Sequence, residues 1–285
     1  MARHELPLGS AALHGYFSRE LDPVLTVDAG DSVRISVPNA GWNTGRDASF
    51  ALRDPELDTG HALAGPIEVR GARTGHVLAV GIDLVVPGPW GVTYGEPPIR
   101  IDWELADGVG HGAGRSVRLA PFLGVLGMPP DELGVHSTTP PRRCGGNIDC
   151  KELVAGTTLY LPIPVDGARF SAGDGHAAQG DGEVSGTAIE APVSATLTLD
   201  VRDDLELEWP VARVEGAWLT FGFDEHLGHA ARIAVDGMLD LLQREHGLAR
   251  GEALALASIV VDLRVTQVVN LTLGVHAMLR DDAFL

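Results

Sequence analysis

Apolar and polar positions alternate over long stretches of this chain, and the alternation predicts strands. Residues 23–37, Pro-Val-Leu-Thr-Val-Asp-Ala-Gly-Asp-Ser-Val-Arg-Ile-Ser-Val, give two half-buried strands around an Ala-Gly-Asp turn. Residues 65–85 repeat that shape, too briefly to count as a sequence repeat. Further strands are predicted over 115–126, 158–165, 187–202 and 209–223. The period changes over 226–246, where Leu227, Ala230, Ala231, Ile233, Ala234, Met238, Leu241 and Leu242 recur at three and four spacings. Such spacing is one face of a helix, and Gly247 supplies its stop. A second helix is predicted over 250–257. The β-branched run 259–269 then predicts an interior strand, in which Asp262 and Arg264 need partners, either each other or a longer-range ion pair. Residues 87–100, rich in proline and glycine and carrying Trp90 and Tyr94, and residues 129–149 read as loops. The fold class this predicts is mostly β with some α (α+β).

Composition fits that outline. The chain has 285 residues, with 36 glycines and 18 prolines, as many short strands joined by tight turns require. Its formal net charge of −18 argues against nucleic acid as a partner, because a phosphate backbone needs a basic footprint, and equally against anionic membrane surfaces. No segment approaches the ~20 apolar residues that span a bilayer, and the first residues lack the apolar core of a signal peptide. Cys144 and Cys150 are the only cysteines. They form no disulfide framework and are too few for a thiolate zinc site, so the expected compartment is the cytoplasm. One of them could still serve as a single ligand or nucleophile.

Chemistry concentrates in residues 173–183, Gly-Asp-Gly-His-Ala-Ala-Gln-Gly-Asp-Gly-Glu, which read as a polar turn held between two buried strands. Asp174 and His176 are two apart, as are Asp181 and Glu183, so in extended backbone each pair aims at one point. Carboxylate and imidazole together suit a divalent ion such as zinc. The ordinary alternative is a hairpin turn in which aspartate hydrogen-bonds its own backbone and glycine supplies positive φ. A second group is Cys144-Gly-Gly-Asn147-Ile-Asp149, where the glycines let backbone approach a ligand. A third is His61, in a glycine-flanked bend before a strand. Among the other histidines, His14, His76, His111, His229 and His246 occupy exposed-looking contexts. There is no Gly-x-Ser-x-Gly elbow, no phosphate-binding glycine loop and no His-Glu-x-x-His helix. A hydrolase made from these parts would activate water on a metal and pass its proton to Glu183 or Asp181.

At these three groups the chain resembles the acetamidase/formamidase family. The resemblance rests on Gly145-Gly-Asn-Ile-Asp-Cys-Lys-Glu-Leu with Thr158-Leu-Tyr-Leu-Pro, and on Phe170-Ser-Ala-Gly-Asp-Gly-His-Ala-Ala-Gln-Gly-Asp-Gly-Glu-Val. It continues in Gly60-His-Ala-Leu-Ala-Gly-Pro-Ile and in Asp262-Leu-Arg-Val-Thr-Gln-Val-Val-Asn. It implies hydrolysis of small aliphatic amides to ammonia and a short carboxylate. It also implies a jelly-roll-like β-sandwich with a mixed α/β remainder, divided here as 1–205 and 206–285, and a homodimer or higher homo-oligomer. His176, Asp174, Asp181, Glu183, Asn147 and Asp149 fall on the family pattern. Position 144 is often histidine in relatives and is Cys144 here.

On that basis Asp149, Asp174 and His176 are expected to hold a divalent metal, zinc before calcium, with His61 and Cys144 as additional ligands. Glu183 is the expected base, Asp181 orients it, and Asn147 stabilises the oxyanion. Trp90, Tyr160 or Phe170 would wall a small pocket. Two other readings use the same residues: a non-catalytic metal- or carbohydrate-binding sandwich with a closed ion shell, and a hydrolase of a larger amide or carbamoyl compound.

Overall fold

A computed structural model describes residues 1–284. Nine strands form the large sheet, in the order Arg3–Leu6, Asp31–Val37, Val193–Arg202, Val77–Pro87, Thr157–Pro162, Val211–Val214, Ala217–Asp224, Leu273–Arg280, Val261–Gln267. Where sequence alternates, burial alternates. Asp31–Val37, Thr157–Pro162 and the first part of Val193–Arg202 each bury every second residue. Their inward residues, among them Val33, Ile35, Leu159, Leu161 and Leu197, form the main core with Phe170 and Leu126 of the second sheet. The large sheet is continuous across residue 205, because Thr157–Pro162 pairs with Val211–Val214.

Two helices occur among the described residues. Helix α1 (Leu227–His246) buries Ala230, Ala234, Met238 and Leu242 against Val275, Ala277 and Leu279, and α2 (Arg250–Val260) adds Ala253 and Ala257 to that cluster. Gly247 ends α1 at φ 66° and donates its N–H to Gln243 O.

The second sheet carries the chemistry. Its order is Gly145–Asn147, Phe122–Gly127, Phe170–His176, Leu63–Arg70, with Leu13–His14 and Leu25–Asp28 both paired to the last of these. Residues 170–176 are thus a strand buried at every position, where sequence predicts part of a turn. Its glycines are there for close packing. A Cβ at Gly173 would strike the Ala62 carbonyl, and one at Gly175 would strike Val193.

Two further differences from expectation have simple causes. Residues 87–100 are strand rather than loop: Trp90–Gly95 and Ile99–Ala106 begin a four-stranded ribbon, and the prolines Pro97 and Pro98 sit at its hairpin turn. Val261–Gln267 is an edge strand, not an interior one, with Leu263 exposed. Of its β-branched residues Val261 and Val265 are half-buried and Thr266 is buried, while Ile259 and Val260 of the predicted run end α2 instead. The far end of its free edge is closed by the polar turn, where Gly182 N–H donates to Thr266 O and Val268 N–H to Gly182 O.

Candidate active site

The strand Phe122–Gly127 lies between the two motif-bearing strands. Val125 sits opposite Asn147 on one side and Gly173 on the other. Gly124 therefore faces Asp174, and a Cβ there would collide with the carboxylates of both Asp174 and Asp149. Only glycine lets the two acids meet. The Gly124 carbonyl also accepts from Ile148 N–H at 3.0 Å and Asp149 N–H at 3.2 Å. That contact turns the chain at Asp149 (φ 52°) and points it back into the sheet.

His176 is the hub. Its Nδ1 lies 2.9 Å from Gln179 Oε1, while Gln179 Nε2 donates to Asp149 O at 2.8 Å. The amide is thus oriented with its oxygen to the ring, so Nδ1 carries a hydrogen. The other nitrogen, Nε2, faces two acceptors, Asp174 Oδ1 at 3.2 Å and Glu190 Oε1 at 3.3 Å. Asp149 Oδ1 is 3.8 Å from Nδ1. Phe122 packs edge-on at 5.1 Å between ring centroids and holds the imidazole in plane. Glu190 arrives on a segment that bridges both His176 and Val92.

Four oxygens in this group are buried and make no hydrogen bond: Asn147 Oδ1, Asp149 Oδ1, Asp174 Oδ1 and Glu190 Oε2. Acceptors without donors at such density mark a place for a cation. Electrostatics agrees. Burial, then the field of Asp149, pushes the Glu183 carboxyl up to about 9. Burial also raises Asp149, to about 6, against the pull of His176. Burial alone would lower His176, but Glu190 and Asp174 outweigh it and hold the ring well above its usual range. Asp174, which burial would raise, is brought down to about 2 by His176 and His61. The cluster is short of positive charge, and a dication would supply it. Donor atoms of Asp149, His176 and Glu183 lie within 4.8 Å of one another, as do those of Asp174, His176 and Glu190. Nitrogen and carboxylate oxygen together fit a divalent metal.

The expected residues do not all arrive. His61 is close enough for its field to act on Asp149 and Asp174, and Thr138 Oγ1 engages its Nδ1 at 2.8 Å. Cys144 lies away from the cluster, in the main core, with its thiol donating to Met128 O at 3.3 Å. Its side chain precedes the bend that delivers Asn147 and Asp149, and packs on the far side. Asp181 does not share a face with Glu183, since Gly182 (φ 89°) and Glu183 (φ 44°) are not extended. It pairs instead with Arg264 at 2.6 Å and Lys151 at 3.0 Å. Arg264 thus finds long-range partners rather than Asp262. Phe170 is in the core and Tyr160 stacks near Trp218, so neither walls the site. His14 is buried, not exposed, between Tyr16 O and Ser171 Oγ.

Sequence reading missed Gly124, Glu190 and Asn270, whose amide donates to Asp149 Oδ2. It also missed Trp103. Glu183 opens from the cluster onto a cleft of about 370 Å³ walled by Trp103, Val117 and Ile189. A lone Glu190 inside Ala-Ile-Glu-Ala-Pro was the one available signal, because a carboxylate in an apolar run requires a partner.

Fold and site together define a β-rich protein with a buried cluster of nitrogen and oxygen atoms that could hold a cation, beside a small cleft. The chain belongs to the acetamidase/formamidase family, whose pattern matches residues 5–97 and 132–279. An acetamidase of Mycolicibacterium smegmatis is 25% identical over 255 residues, covering 60% of this chain and 61% of that protein. The chain spans less than two thirds of the length of the curated relatives it matches. Among solved structures, an acetamidase from Bacillus halodurans superposes with a TM-score of 0.88 at 28% identity, covering 96% of this chain and 97% of that one. An acetamidase from Yersinia enterocolitica does so with 0.89 at 26%, covering 98% and 92%.

Proposed function

We propose that this protein hydrolyses a small aliphatic amide, of the formamide or acetamide type, to ammonia and a carboxylate. Asp149, Asp174, His176 and Glu190 would hold a divalent ion, zinc before calcium, with His61 behind them. When bound, such an ion polarises a carbonyl and lowers the pKa of water to ~7. The single observation that carries the reading is the position of Glu183, which reaches the ligand cluster and lines the cleft at once. Its carboxylate takes the proton of the attacking water as the new C–O bond forms. It then returns that proton to the amide nitrogen as the C–N bond breaks and ammonia leaves. Asn147, buried at the cluster's edge, supplies an amide to the developing oxyanion, a contribution of about 3 kcal/mol per donor. Asp181, tied to Arg264 and Lys151, fixes the turn that carries Glu183. Gln179 holds the His176 tautomer. A cleft near the small end of ligand pockets excludes bulky acyl groups.

The test is Glu183→Gln. Ammonia release from formamide, acetamide and propionamide should fall about a thousand-fold while bound metal is retained. Undiminished turnover would remove Glu183 from the mechanism.

A further inference from the structure

Next in the chain to the cluster just described, three side chains of metal-ligating type meet that the proposed chemistry does not use. Cys150 follows Asp149 directly, and its thiol meets Glu152 and His276 rather than the Asp149 carboxylate's partners. It is buried and donates to Glu152 Oε2 at 3.3 Å. His276, on the strand Leu273–Arg280, is fully buried. Thr266 Oγ1 engages its Nδ1 at 2.9 Å, and its Nε2 makes no hydrogen bond. That free nitrogen lies 3.8 Å from Glu152 Oε2. Sγ, Nε2 and the carboxylate oxygen all fall within 4.8 Å of one another.

We propose that Cys150, Glu152 and His276 form a second cation site, separate from the first, for a thiophilic dication such as zinc. The distances suit it. With Zn–S of about 2.3 Å and Zn–N or Zn–O of about 2.0 Å, tetrahedral ligands stand roughly 3.3–3.5 Å apart. Shifts of a few tenths of an ångström would close this triangle. The hydroxyl on Nδ1 is the partner that fixes a ligating ring, leaving Nε2 for the ion. A fully buried imidazole nitrogen with no donor or acceptor is otherwise unexplained. Glu152 remains anchored through its other oxygen, which takes Arg264 Nη1 at 2.6 Å. Its side chain is 14% exposed, which gives water a route to the fourth position. Binding exchanges the thiol proton for the metal: S–H breaks, S–metal forms, and one proton leaves to solvent. Thiolate and carboxylate neutralise the dication, while Asp181 offsets one of the two cations, Arg264 and Lys151, that it pairs with. The ion would tie the bend carrying Asp149 to the two C-terminal strands.

Cobalt titration of the metal-stripped full chain tests this. Because the first cluster contains no sulfur ligand, a thiolate-to-cobalt charge-transfer band in the near ultraviolet reports only a cysteine-bound ion. The wild type should show the band, with one proton released per ion bound there. Cys150→Ser and His276→Gln should lose it, whereas Cys144→Ser and Asp174→Asn should keep it. Zinc should raise the melting temperature of Asp174→Asn but not of Asp174→Asn combined with Cys150→Ser. No band in the wild type, or a band that survives Cys150→Ser, overturns the proposal. Loss of amide turnover alone would bear on the first site and leave this one standing.

Discussion

Gly124 shows how much one absent methyl group can decide. Two buried carboxylates converge over it, and any side chain would push them apart. Gly124→Ala should weaken metal binding by tenfold or more, measured by competition with a chromophoric chelator, and cost about 1–3 kcal/mol of stability. Unchanged affinity would mean that the two acids do not act together. His14 belongs to the same scale but concerns stability. Burial holds its pKa down at about 4. Its neutral ring therefore stabilises the fold fully above the unfolded value of about 6.5, and the benefit is lost as pH falls toward 4. That loss reaches roughly 3 kcal/mol. Urea unfolding of His14→Gln, which keeps a neutral polar group, should show a shallower decline over that window. Equal slopes would refute the assignment.

At the scale of elements, sequence was most legible where strands are half-buried. Alternation located Asp31–Val37, Thr157–Pro162 and Val193–Arg202, and the three-and-four spacing located α1. It failed where neither period applies. Phe170–His176 is covered on both faces and packed through glycine, so its pattern looks like a turn. Asp174 and His176 were nonetheless legible as a pair, since they stand two apart on that strand. Glu190 is legible only as a carboxylate in an apolar run that needs a partner, and Asn270 is not, because only a contact across 121 residues brings it in. The ribbon begun by Trp90–Gly95 matters for selectivity. Trp103, anchored by its Nε1–H on Thr93 Oγ1 at 3.0 Å, overhangs the cleft. Trp103→Ala should shift kcat/KM toward longer amides, butyramide over acetamide, by roughly tenfold. An unchanged amide profile would place the acyl group elsewhere.

At the scale of the molecule, the large sheet supplies rigidity and the second sheet supplies the ligands. The two share a core through residues such as Phe170, Leu126 and Leu161, so the acids are held against their own repulsion before any ion arrives. In the buried cluster the carboxylates outnumber the cationic groups, an imbalance that a divalent ion would offset. Among the described residues no helix is long and apolar enough to cross a membrane. If a divalent ion at Asp149, Asp174, His176 and Glu190 is required for amide hydrolysis, removing it must abolish turnover. The direct measurement is ammonia release from formamide and acetamide, with metal content determined in parallel, before chelation, after it, and after zinc is returned. Turnover should fall to background with the metal and recover when it is returned; full turnover by metal-free protein would show that no ion takes part.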